Sequence, residues 1–228
     1  MSKIFCFIFA RGGSQRIPNK NLKKINNKSL LEITINLAKK VNKIDKIFVS
    51  SDSNKILNIA RKNNTQIIKR PKFLCSSKSN EFESWKHAIQ SLKKKKINFD
   101  YFLSLPTTSP LRNKKDIMSL IKKFSNSKYD LLLCVTKTNR FPHYNMVIKK
   151  KNIIQPIIKN AKGLKKDNIL DLTTVGYITR PKFVMKSNGI FDGKVGYVNI
   201  PRERAIDIDD FYDLKVARYL LNEKKNNN

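Results

Sequence analysis

Apolar positions along the chain follow two alternating rhythms. Lys3–Phe9, Lys46–Ser50, Gln66–Ile68, Tyr101–Leu105 and Leu131–Thr136 are short runs rich in β-branched and aromatic residues, and they read as strands. Between them Leu30, Ile33, Leu37 and Val41 recur at helical spacing, as do Phe82, Trp85, Ile89 and Leu92. Ile117, Leu120, Ile121 and Phe124 mark a third helical face, and Leu214, Ala217 and Leu221 a fourth. Strand–helix alternation predicts an α/β fold: a mostly parallel sheet covered by helices on both faces.

The rhythm breaks between residues 137 and 171. Phe141-Pro142-His143-Tyr144, Met146–Lys149 and Ile153–Ile158 read as short hairpin strands without a helical face, so 137–171 is expected to protrude as an arm. The pattern resumes with a strand at Val175–Ile178, a short helix near Lys182–Lys186 and a strand at Lys194–Ile200. Residues 223–228, rich in lysine and asparagine, are expected to fray. The length suits a single domain over 1–228.

Composition narrows the classes. No apolar run approaches the ~20 residues of a membrane-spanning helix, and the opening strand is too short for a signal peptide, so a cytoplasmic protein is expected. Cys6, Cys75 and Cys134 lack metal-binding spacing and read as reduced thiols. The net charge of +31 raises the possibility of nucleic-acid binding. The basic residues are nevertheless spread along the whole chain, with no aromatic-interleaved RNA signature or zinc-finger spacing, and a solvated basic surface is the better reading. Such a field also attracts small anions.

Candidate chemistry begins directly after the first strand, at Ala10-Arg11-Gly12-Gly13-Ser14-Gln15-Arg16-Ile17-Pro18-Asn19-Lys20-Asn21. Ligands of open α/β sheets bind at the carboxyl ends of strands. There Gly12 and Gly13 allow close backbone approach and could turn N–H groups toward phosphate, while Ser14 adds a donor. Arg11, Arg16 and Lys20 supply three cations within ten residues. The loop is neither a Walker loop nor a dinucleotide fingerprint; alone it specifies an anion site, or a basic turn. Near the other end, Asp207 and Asp209 are two apart in an extended segment and project to one side. They suit Mg²⁺ or Mn²⁺, unless Asp209 or Asp210 caps the last helix. Neither His87 nor His143 is placed for nucleophilic work.

Arg-Gly-Gly-Ser-x-x-Ile-Pro-x-Lys-Asn strongly resembles the signature of the acylneuraminate cytidylyltransferases, the CMP-sialic acid synthetases and their relatives. Three further matches follow in order: Arg70-Pro71 with Leu74, Thr108-Ser109-Pro110-Leu111-Arg112, and Glu203-Arg204-Ala205-Ile206-Asp207-Ile208-Asp209. The resemblance spans roughly residues 3–221. It implies a Rossmann-like, three-layer nucleotide-diphospho-sugar transferase fold, and transfer of CMP from CTP to the anomeric hydroxyl of a nine-carbon 2-keto-3-deoxy sugar acid with release of pyrophosphate. By position, Arg11, Gly12, Gly13, Ser14 and Lys20 would hold the triphosphate, and Asn21, Arg70 and Ser79 the nucleoside end. Thr108, Tyr177 and Phe191 would meet the sugar, and Asp207 and Asp209 the metal. Arg11, Arg16, Lys20 and Asp209 would carry the chemistry. Family members are homodimers whose arm reaches over the partner's site.

Two departures bear on the substrate. The family usually has lysine where this chain has Gln15, with Arg16 next to it as a replacement charge. The family glutamine associated with the sugar acid is Pro106 here, which points away from N-acetylneuraminate itself and leaves legionaminate, pseudaminate and related acids open. The alternatives are a sugar nucleotidyltransferase of another kind, such as a CMP-KDO type, or a basic nucleic-acid-binding protein without catalysis. The characteristic opening of the CMP-KDO synthetases is absent.

Overall fold

The computed structural model describes residues 2–76, 79–158, 163, 165 and 168–226, apart from the side chains of His143 and of residues 224–226. The chain runs β1 (Ile4–Phe9), β2 (Lys24–Ile25), β3 (Lys28–Ser29), α1 (Leu30–Lys39), β4 (Lys46–Ser51), α2 (Asn54–Lys62), β5 (Gln66–Lys69) and α3 (Glu81–Lys94). It continues through β6 (Tyr101–Ser104), α4 (Lys114–Ser125), β7 (Leu131–Lys137), α5 (Pro142–Asn145), β8 (Val147–Lys150), β9 (Ile153–Pro156), β10 (Leu170–Thr179), α6 (Pro181–Lys186), β11 (Val195–Asn199) and α7 (Phe211–Asn226).

Seven strands form one sheet in the order β11-β7-β10-β6-β1-β4-β5. Strand alternation divides β1 cleanly. Ile4, Cys6 and Ile8 pack with Leu31, Ile35 and Ala38 of α1, Ile56 and Ala60 of α2, and Ile117, Leu120, Ile121 and Phe124 of α4. Phe5 and Phe7 face the other way, toward Phe82, Trp85, Ile89 and Leu92 of α3 and Val184 of α6. Phe7 stacks on Phe102 with ring centroids 4.4 Å apart. The expected α/β layering is therefore present, and the faces expected of α3 and α4 are buried in full.

Three local expectations are corrected. The stripe of α1 that meets the sheet is led by Leu31, Ile35 and Ala38, with Leu37 and Val41 of the expected face packed into the same core. The helix is covered on two sides: Leu30 and Ile33 pack with Ile17, Ile208, Leu214 and Ala217 beneath α7. The strand expected at Val175–Ile178 is the ten-residue β10, which pairs antiparallel to both β6 and β7 in an otherwise parallel sheet. Its first residues, Leu170 and Asp171, lie inside the segment assigned to the arm and pair with Lys137 and Thr136. Within that segment Phe141-Pro142-His143-Tyr144 is not a strand, since Pro142–Asn145 is the single turn α5, while β8 and β9 form a separate two-stranded hairpin. The helix α7 extends through Asn226, and residues 227–228 of the terminal segment lie outside the described residues, as do 159–162, 164 and 166–167 of the arm.

Among the described residues no helix is long and apolar enough to cross a membrane. All three cysteines are free thiols, and burial pushes Cys6 and Cys134 up to about 12.

Candidate active site

The glycine loop leaves the carboxyl end of β1 beside that of β4. Its conformation is set by a carboxylate that the sequence reading did not single out: Gly12 N–H donates to Asp52 Oδ1 at 2.8 Å. Burial raises the Asp52 pKa, but the N–H bonds from Gly12 and from its own backbone, with Cys75 and Arg70 nearby, outweigh it and hold the carboxyl below its ordinary value. A methyl on Gly12 would stand 3.0 Å from Ser53 Cβ, whereas one on Gly13 would meet nothing within 4 Å. Neither glycine has a left-handed φ. Gly12 therefore serves loop packing, and its N–H is not directed at a ligand as expected. The Gly13 N–H carries no hydrogen bond among the described residues.

Arg11, Ser14, Lys20, Asn21, Arg70, Ser79 and Thr108 all line one cleft, as the sequence led us to expect, together with Phe9, Leu74, Glu81, Ser84, Pro106, Thr107 and Thr174. Arg70 is buried. Its Nη1 donates to Ser84 Oγ at 3.0 Å, while Nε and Nη2 have no hydrogen-bond partner among the described residues. Two unpaired buried donors beside a cleft are costly without a ligand to accept them. Burial lowers the Arg70 pKa, and Cys75, Asp52 and Glu81 oppose the shift. Arg11 Nη1 donates to Ser76 O at 3.0 Å, tying the glycine loop to the segment before α3, where Ser79 sits. Asn21 is committed at both ends of its amide: Nδ2 donates to Arg11 O at 2.8 Å and Oδ1 accepts from Thr107 Oγ1. It straps two cleft loops together while lining the cleft, with one amide N–H still available to a ligand.

The segment Ala205–Asp209 borders this cleft through bonds to Thr108 and Lys20, so the front and the end of the chain meet. Arg204 grips Asp116, the residue that closes the capping box of α4, through contacts of 3.0–3.2 Å, and this anchors the turn Arg202–Arg204. Ile208 N–H donates to Thr108 O at 2.9 Å, Lys20 Nζ donates to Ile208 O at 2.7 Å, and the Ile208 side chain is fully buried. Asp210, not Asp209, caps α7 by accepting from the N–H groups of Tyr212 and Asp213. Asp209 pairs with Arg16 at 3.2 Å and with Lys20 at 3.3 Å. Asp207 has a buried Oδ1 without any partner. The two aspartates thus differ: one is paired with cations, the other faces inward unsatisfied.

Arg112, the cation of the matched segment after β6, is turned away from the cleft. It is buried, and its guanidinium donates to Thr174 O, Val175 O at 3.0 Å, Thr34 Oγ1 at 3.0 Å and Pro106 O. Burial lowers its pKa to about 10. The Thr174 and Val175 carbonyls belong to an irregularity in β10 between Thr173 and Tyr177. Such bulges re-aim side chains next to sites, and this one delivers Thr174 into the cleft, bonded to Ser109 Oγ at 2.7 Å. Tyr177 and Phe191 line a second pocket with Asn80, Glu81, Phe82, Trp85, Gly189, Ile190 and Asp192. Tyr177 is buried, with its ring 5.6 Å from that of Trp85. Phe191 is 68% exposed.

A family model described as Cytidylyltransferase matches residues 5–172. The chain belongs to the cytidylyltransferase family. It is 27% identical over 230 residues to the post-translational flagellin modification protein B of Campylobacter coli, covering 98% of this chain and 97% of that one. It is 26% identical over 231 residues to the CMP-N,N'-diacetyllegionaminic acid synthase of Campylobacter jejuni, with the same coverage. Its fold is similar to that of a CMP:2-keto-3-deoxy-manno-octonic acid synthetase complexed with CTP, at a TM-score of 0.72 and 15% identity, over 98% of this chain and 100% of that one.

Sequence reasoning about this cytidylyltransferase missed Asp52, Thr174 and Glu81. Glu81 lines both pockets, and Trp85 Nε1 donates to its Oε1 at 3.2 Å. It is open to water inside the cleft yet surrounded by protein. Burial pushes its carboxyl up, and Asp207 adds to the rise against Trp85 and Arg70. The only advance signal was an acidic residue in the first turn of a helix, which ordinarily means capping.

The donor set was tested against a divalent cation. Among the described residues no group of three or more histidine, cysteine or acidic side chains could hold a metal unaided. Mg²⁺ is commonly held by one or two carboxylates plus substrate phosphates, and the orphaned Oδ1 of Asp207 fits that need. Asp209 fits once phosphate competes for Arg16 and Lys20.

Proposed function

We propose that this cytidylyltransferase transfers CMP from CTP to the anomeric hydroxyl of a nine-carbon 2-keto-3-deoxy sugar acid, releasing pyrophosphate. The observation that carries the reading is the convergence of Arg11, Lys20 and Arg70 in one cleft, with the Asp207–Asp209 segment held at its border by Lys20. In this reading the triphosphate lies against Arg11, Ser14, Lys20 and the free Gly13 N–H, with Arg16 at the rim. The unpaired donors of Arg70 hold the cytidine end, beside Ser79. The sugar lies between Thr108 and the second pocket of Tyr177 and Phe191. The anomeric oxygen attacks the α-phosphorus in line, and Arg11, Arg16 and Lys20 stabilise the charge that builds on the leaving pyrophosphate. Catalysis then rests on positioning and charge neutralisation. Asp207 and Asp209 would hold Mg²⁺ or Mn²⁺, which when bound neutralises phosphate charge and favours ionisation of a nearby hydroxyl.

Pro106 in place of the family glutamine and the likeness to a legionaminic acid synthase both support a sugar other than N-acetylneuraminate. Pyrophosphate release across the four nucleoside triphosphates and a panel of eight- and nine-carbon keto acids tests the reading. CTP with a nine-carbon acid is expected to win, and preference for another nucleotide or for an eight-carbon acid overturns it.

The working form in this reading is a cytoplasmic homodimer. The three free thiols suit a reducing compartment. The arm hairpin exposes Val147, Ile148, Ile153 and Ile154, with Ile154 66% accessible, an apolar surface of the kind that marks protein contacts. A monomer by light scattering at working concentration overturns the dimer.

A further inference from the structure

Resting on that reading, we infer that Glu81 is a specificity-determining residue: its free carboxylate oxygen accepts a hydrogen bond from a hydroxyl or amide N–H on the end of the sugar acid remote from the acid group. The two pockets that meet at Glu81 differ in charge. The first carries Arg11, Lys20 and Arg70, while no cation among the described residues lines the second. An acidic ligand spanning both gains only by turning its carboxylate toward the first and its neutral end toward the second.

At that neutral end two neighbouring side chains each have one oxygen committed to backbone. Asn80 Oδ1 accepts from Phe82 N–H as the cap of α3, and Asp192 Oδ2 accepts from Asn188 N–H at 2.6 Å. Glu81 Oε1 is fixed by the Trp85 indole, one helical turn along α3, and Oε2 carries no hydrogen bond among the described residues. This leaves an oriented carboxyl acceptor beside Trp85, in the lining shared by the cleft and the pocket of Tyr177. Around it, Phe82 and Phe191 suit the apolar parts of acylated or deoxygenated sugars. A polar group built into an apolar pocket discriminates strongly, because a ligand without the matching donor strands it.

The test compares E81A and E81Q with the native enzyme, reading CTP affinity by calorimetry, the KM of the preferred sugar acid by pyrophosphate release, and Mn²⁺ affinity of the enzyme–CTP complex by water-proton relaxation. A lost bond to a charged acceptor is expected to raise the sugar-acid KM roughly 10- to 100-fold in E81A and less in E81Q, with CTP and Mn²⁺ affinities nearly constant. An unchanged sugar-acid KM overturns the inference. So does a loss of Mn²⁺ affinity, which reassigns Glu81 to holding metal, and so does a parallel rise in both KM values with a lower melting temperature, which reduces it to a support for Trp85. If E81A does not fold, E81Q decides by the same criteria. A native enzyme that releases no pyrophosphate from CTP with any sugar acid overturns the underlying reading, a result visible before either variant is made.

Discussion

Replacing Arg112 by methionine separates a residue that reads substrate from one that holds the site together. The guanidinium serves the carbonyls of Pro106, Thr174 and Val175 and the Thr34 hydroxyl, inside the protein. Methionine fills a similar volume but strands three carbonyls, since Thr34 Oγ1 keeps its own bond to Leu30 O. At roughly 1–2 kcal/mol for each stranded group, the loss is about 3–6 kcal/mol. Against this, removing a buried cation relieves the penalty that lowers the Arg112 pKa from 12.5 to about 10, worth about 3 kcal/mol. The hydrogen bonds at least match that relief, and a net destabilisation of up to about 3 kcal/mol corresponds to a melting temperature lower by up to roughly 12 °C for a chain of this size. Lysine keeps the charge but not the planar fork, so R112K is expected to melt at least as low as R112M. Thermal denaturation followed by circular dichroism, with pyrophosphate release measured well below the transition, checks both statements. A native melting temperature in R112M, with turnover lost and then restored by lysine, would refute the structural role and return Arg112 to the substrate.

Gly12→Ala forces a methyl against Ser53 and strains the loop that presents Arg11 and Ser14, so the KM for CTP rises about tenfold; Gly13→Ala, with open space around it, leaves the melting temperature unchanged. Asp52→Asn should be destabilising above the ordinary aspartate range near 4. Because the folded pKa of Asp52 is depressed, its contribution is present above that value and is lost as pH falls through the lower folded pKa, so variant and native stabilities converge in acid; a gap that widens on acidification contradicts the assignment. Asp209→Ala should cut turnover by about two to three orders of magnitude, while CTP binds as tightly or more tightly because Arg16 and Lys20 are released. Full activity of that variant with metal present removes Asp209 from the metal site.

Much of the architecture was legible because its signals are local. Alternation along β1 and helical spacing along α3 and α4 depend only on which face of each element must be buried, and those faces are the ones the sequence marks. The cleft was legible as well, since the carboxyl ends of the strands of an open sheet fall along one edge and the loops there carry the cations. The sequence by itself thus determined the layers, the edge that binds and most residues lining it.

Tertiary structure decided how each polar group is used, because that depends on partners distant in the chain. Arg112 is drawn inward by carbonyls of β10, a strand whose antiparallel insertion no local pattern signals. Gly12 is bound by Asp52, forty residues away. Asp209 meets Lys20 only when α7 packs against the loop after β1. Glu81 stands in a first helical turn like many capping acids, and its place between two pockets exists only once α3, β10 and the Phe191 turn have closed around it. A residue's type shows what bonds it can make; burial and neighbours decide which of them it makes.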